Sequence, residues 1–81
     1  MTMSPSQCRA ARGLLNWSQE GLATKASVSV TTLRNFERGA TTPVTNNLAA
    51  LRAALEAGGV EFIPENGGGA GVRLKKGSGI G

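Results

Sequence analysis

The chain reads as a mainly α fold, four short helices followed by a C-terminal β-hairpin, and three observations carry that reading. Apolar residues recur at helical spacing in four successive stretches, each bounded by capping or turn residues. One connection, Ser27-Val28-Ser29, is a tight turn between two short helices. Beyond Gly58-Gly59 the period changes to two, in Val60-Glu61-Phe62-Ile63 and Val72-Arg73-Leu74-Lys75, on either side of a glycine-rich stretch from Pro64 to Gly71.

The first helix takes Ser4 or Ser6 as its N-cap and Pro5 as its first residue. Cys8, Ala11 and Leu15 form its apolar stripe, and it ends near Leu15. Asn16 and Trp17 connect it to a second helix capped by Ser18, with Leu22, Ala23 and Ala26 turned inward. Val28 points into the core from the turn, and Ser29 accepts the free amide hydrogens that open the third helix. There Leu33 and Phe36 face inward, while Thr31, Thr32, Arg34, Asn35 and Arg38 face outward. Gly39 stops the helix through a left-handed conformation. A loop over 40–44 contains Pro43, and Leu48, Leu51 and Leu55 then mark a fourth helix capped by Thr42 or Thr45. Residues 4–57 thus form the helical domain, 58–76 a β segment and 77–81 a disordered tail.

Eighty-one residues make one small domain, and a core of this size buries only about 60% of the unfolded chain's surface, so a second copy of the chain is one source of added stability. Nine Lys and Arg against five Asp and Glu give a net charge of +4, which favours a polyanionic partner but is also common in small basic proteins. With Cys8 the only cysteine and no histidine, no intrachain disulfide and no His- or Cys-rich metal site can form, and no cofactor is expected. Neither paired carboxylates nor an activated nucleophile can be assembled, so an enzyme has nothing to rest on. No signal peptide or membrane span is apparent, which leads us to expect a soluble cytoplasmic protein.

Residues 18–39 have the spacing of a helix-turn-helix, whose second helix presents side chains to the DNA major groove. Modest side chains at the start of such a helix let the backbone approach the bases, and Val30, Thr31 and Thr32 supply them. Arg34 suits a bidentate contact to guanine and Asn35 one to adenine or a phosphate, each good bidentate pair being worth about 1–3 kcal/mol of discrimination. Ser18, Gln19, Ser29, Arg38 and Thr42 stand where phosphates would pass, with Gln19 beside the free amides that open the second helix. For an arbitrary helix a merely solvated face is the commoner reading. The absence of any acidic residue between Val28 and Phe36 favours DNA here. Glu37 would break that pattern, so it is expected to turn inward and pair with Arg12 of the first helix.

Arg12, Ser18-Gln19-Glu20, Leu22-Ala23, Val28-Ser29, Leu33, Phe36-Glu37, Gly39 and the Leu48-Leu51-Leu55 helix, in this order, resemble the xenobiotic-response-element and Cro type of helix-turn-helix, the lambda-repressor-like fold of small bacterial and phage regulators. The resemblance covers residues 6–57. It implies a four-helix domain in which Gln19 opens the motif, Ala23 lets the two helices approach, Val30, Thr31, Thr32, Arg34 and Asn35 face the bases, and Arg12 pairs with Glu37. Ser27 departs from the glycine common at that turn. Serine strains to reach positive φ, so this turn is expected to wind differently.

The C-terminal segment is similar to the tail of some short members of that family. Its strands either fold over the chain's own core or pair with a second subunit. The second option is favoured because an isolated two-stranded ribbon is marginal, which makes Val60, Phe62, Val72 and Leu74 the expected dimer contacts. Three features are discounted. Gly67 to Gly71 lacks the Gly-Lys-Ser/Thr of a phosphate loop; Trp17 is read as a plug between helices; Cys8 is read as a small core residue. Lys75-Lys76 serves solubility. The sequence therefore points to a homodimeric, sequence-specific binder of a double-stranded DNA operator, a repressor in preference to an activator touching RNA polymerase. Its rivals are an antitoxin or antiactivator that binds a regulatory protein through the C-terminal strands, and a non-specific nucleoid binder.

Overall fold

The computed structural model describes residues 3–64 and 67–75; Lys76 and the tail at 77–81 lie outside the described residues. The order of elements is α1 (Pro5–Leu15), α2 (Gln19–Ala26), α3 (Val30–Glu37), α4 (Thr45–Ala57), β1 (Val60–Ile63) and β2 (Gly71–Leu74). The mainly helical fold with a terminal hairpin is thus the one the residue pattern predicts.

Local chemistry accounts for most boundaries. Ser4, not Ser6, caps α1: its hydroxyl accepts from the Gln7 amide, the Gln7 side chain accepts from the Ser4 amide, and Pro5 fills the first turn. Asn16 ends the helix in the left-handed region at φ 58°, a conformation its short amide tolerates. Ser18 and Ser29 cap α2 and α3 by accepting from Gly21 and Thr32. Neither Thr42 nor Thr45 caps α4. Val44 holds that position without a side-chain bond, and Thr45 is already the first helical residue.

Ser27 does not rewind the turn between α2 and α3. It takes φ 57° and ψ 42°, the left-handed conformation a glycine would adopt, and bears the steric cost of its Cβ. The geometry of the turn is therefore kept at the expense of stability.

The core gathers Met3, Cys8, Ala11, Leu22, Ala23, Leu33, Phe36, Leu48, Leu51, Leu55, Val60 and Phe62, with Leu15, Trp17, Ala26 and Val28 packed against it. Trp17 lies over Gly58, where a Cβ would fall 2.6 Å from the indole Cη2. Gly58 is therefore a close-approach residue as well as a helix stop. Gly59 supplies the positive φ, 112°, that turns the chain into β1.

β1 and β2 pair with each other, antiparallel, with Val60 opposite Leu74 and Phe62 opposite Val72. Val60 is fully buried and Phe62 nearly so within their own protomer, which corrects their expected place as dimer contacts. Their side chains fill the gap between α1 and α4, so the hairpin belongs to the same hydrophobic body as the helices. The Arg52 guanidinium lies 4.5 Å from the Phe62 ring, and the Gln7 side-chain amide donates to the Gly71 carbonyl at 3.1 Å. Lys75 closes the ribbon by donating its amide to the Gly59 carbonyl at 2.7 Å. Leu74 is left half-exposed and Val72 partly covered.

Candidate nucleic-acid interface

The site is assembled around one buried carboxylate. Glu37 is only 2% exposed at the last turn of α3. Arg12 of α1 reaches it with both arms of its fork, Nε to Oε2 at 2.8 Å and a terminal nitrogen to Oε1 at 2.7 Å. The Gln19 amide donates to Oε1 at 3.0 Å and the Cys8 thiol to Oε2 at 3.1 Å. The remaining Arg12 nitrogen donates to the Trp17 carbonyl at 3.1 Å, and Arg9 donates to the Glu37 backbone carbonyl. One side chain thereby fixes α1, the start of α2 and the end of α3 relative to one another.

The charges respond to this packing. Burial works to raise the Glu37 pKa, but the hydrogen bonds from Arg12, Gln19 and Cys8 and the Arg12 charge outweigh it, and the carboxyl is held below its ordinary value. Arg12 is held more firmly protonated, chiefly by its hydrogen bonds to Glu37. Burial, and then the hydrogen bond to Glu37, drive the Cys8 thiol well above its usual range, leaving it an unreactive neutral donor.

With Glu37 turned inward, the outward face of α3 is free of carboxylates. Thr31, Arg34 and Arg38 are exposed; Thr32 and Asn35 are half-exposed. Val30 packs partly against the core, so only part of its side chain remains on the outer face. The Ser29 hydroxyl donates to the Thr32 hydroxyl at 2.8 Å. Arg38 Nε donates to Asn35 Oδ1 at 3.2 Å, which links these two side chains on the outward face. Ser18, Ser29 and Thr42 lie exposed on loops or caps, and Gln19 is half-buried, its amide donating to Glu37.

An open cleft of about 300 Å³ runs along this junction, lined by Arg9, Arg12, Gln19, Arg34, Glu37 and Arg38. Arg9 is the residue that the sequence pattern does not single out. Its distance along the chain from α3 conceals it, and only the α1–α3 contact brings it beside Arg34 and Arg38. Four guanidiniums around one neutralised carboxylate make a surface suited to a phosphodiester backbone. Among the described residues no group of three or more His, Cys, Asp or Glu could hold a metal ion, and no helix is long and apolar enough to cross a membrane.

Two packed helices joined by a tight turn, with a cationic outer face on the second, define a DNA-binding helix-turn-helix regulator. The sequence model of the helix-turn-helix family matches residues 9–62, and the chain belongs to that family, in its xenobiotic-response-element and lambda-repressor-like form. No curated protein matches the chain.

Proposed function

We propose that this protein is a transcriptional repressor of bacterial or phage origin that acts in the cytoplasm by occupying a pseudo-palindromic operator as a homodimer. The observation that carries the reading is the carboxylate-free outer face of α3, obtained by burying Glu37 against Arg12. Arg34 reads guanine, Asn35 reads adenine once Arg38 moves to a phosphate, and Thr31, Thr32 and the exposed part of Val30 meet thymine methyls. Ser18, Gln19, Ser29, Arg38 and Thr42 hold the backbone, joined by Arg9. Val72 and Leu74 form the dimer contact along the open edge of β2, where alternate backbone groups turn away from β1. Two recognition helices would then lie about 34 Å apart. Leu74, 48% exposed on β2, favours one other reading, in which a regulatory protein docks on the C-terminal strands.

The test is a fluorescence-anisotropy titration against the duplex upstream of the protein's own gene and a scrambled duplex, with wild type and Arg34→Ala/Asn35→Ala. The wild type should prefer its own promoter, and the variant should lose at least about tenfold of that preference while keeping its helical circular dichroism, given about 1–3 kcal/mol per bidentate contact. Equal weak binding to both duplexes overturns the reading in favour of a protein partner.

A further inference from the structure

Glu20 occupies the first turn of α2 but does not cap it, since the Ser18 hydroxyl takes the Gly21 amide. Its carboxylate is 72% exposed and its Oε2 lies 3.9 Å from a terminal nitrogen of Arg34, itself 49% exposed. Glu20 thus reaches across from the positioning helix to the residue assigned above to guanine. An exposed pair of this kind adds little to folding stability. Its consequence lies in where the Arg34 guanidinium goes when DNA arrives. Arg12, held protonated chiefly by Glu37, also feels the Glu20 charge, which places this carboxylate within the field of the same cationic cleft.

We infer that Glu20 is a specificity-determining residue that holds Arg34 away from phosphates on non-cognate DNA and keeps it aimed at a guanine edge. The inference rests on the DNA-reading role proposed above. On a non-cognate duplex the best acceptor open to Arg34 is a phosphate, and taking it means leaving Glu20 while keeping that carboxylate beside a polyanion. On a cognate duplex Arg34 donates two parallel hydrogen bonds to guanine O6 and N7 without leaving Glu20, so the pairing is kept in the right complex and lost in the wrong one. Glu20 therefore penalises the wrong complex more than the right one, which is specificity by repulsion. Its negative charge weakens binding in general and improves discrimination in return.

The experiment begins by selecting a preferred duplex from a random pool with the wild-type protein. That duplex and a scrambled one are then titrated with wild type, Glu20→Gln, Arg34→Ala and the double variant over a range of salt. Glu20→Gln should bind the scrambled duplex about threefold to fivefold more tightly, as expected for release of an exposed pair, and its salt slope there should steepen by about 0.9 for one added phosphate contact. Binding to the selected duplex should change less than about twofold, and the scrambled-duplex gain should vanish in the Arg34→Ala background. An equal gain on both duplexes, or a gain that survives without Arg34, would show only a general charge effect and overturn the role of Glu20. If the pool yields no preferred sequence, the sequence-specific reading itself fails and this inference fails with it. If a sequence is selected but the ratio between duplexes stays constant in Glu20→Gln, the inference alone is refuted.

Discussion

Replacing Glu37 by Gln keeps the shape of the side chain and removes its charge, and the structure allows the cost to be worked out. The wild-type carboxylate accepts from Arg12 twice, from Gln19 and from Cys8 at an almost fully buried position. Gln offers one acceptor oxygen, and its amide group confronts the donor arm of Arg12 with another donor. Breaking a buried pair by removing one partner costs about 3–5 kcal/mol; because the Arg12 side chain retains 20% exposure, about 3 kcal/mol is expected. A chain of this length has only about 4–12 kcal/mol to lose. With a urea dependence near 1 kcal/mol per molar, the midpoint should fall by about 3 M, measured by circular dichroism and Trp17 fluorescence. The pH dependence supplies a second reading of the same pair. Since folding depresses the Glu37 pKa, its contribution is full above the ordinary value of 4.5 and is lost as pH falls through the folded value. Wild type should therefore lose stability on acidification relative to Glu37→Gln, and the two curves should converge. A midpoint shift below about 1 M, or parallel pH profiles, would refute the claim that this pair ties α1 to α3.

Two further perturbations test the fold. Ser27→Gly should stabilise the protein by about 0.5–1 kcal/mol, because relief of a left-handed serine exceeds the added chain entropy; thermal unfolding checks this, and an unchanged or lower midpoint would contradict it. Gly58→Ala should destabilise by about 1–3 kcal/mol and shift Trp17 emission, since the new methyl meets a rigid indole at 2.6 Å; unaltered emission with full stability would show that the contact relaxes freely.

The four helices and the hairpin were legible because local signals and apolar spacing agreed at each of them. Ser18, Ser29 and Gly39 act locally, so their effects can be read a few residues at a time. The fourth helix shows the limit of that logic: two threonines stood ready to cap it, yet Val44 holds the position without a side-chain bond, and Leu48, Leu51 and Leu55 bury the helix in the core. The Arg12–Glu37 bond is present in the structure, and an acidic residue closing an otherwise cationic helix was the signal that suggested it. Burial of Val60 and Phe62 in their own protomer was not legible. A period of two reports that one strand face is covered, but not by which chain. Arg9, the Cys8 thiol bond and the burial of Met3 were likewise hidden, since each depends on contacts between segments far apart in sequence.

The division of α3 into two faces bears on how such a protein changes its target. Leu33, Phe36 and Glu37 hold the helix in place from within, whereas Thr31, Arg34 and Arg38 face solvent and hold nothing in the core. Substitutions on the outer face should therefore accumulate with little loss of folding free energy, since surface changes commonly stay within about 0.5 kcal/mol. If α3 reads bases as proposed, a duplicated copy of the gene can drift toward a different DNA sequence while its scaffold remains under unchanged selection. The buried carboxylate that clears the outer face is then what makes the protein's address replaceable without dismantling its frame.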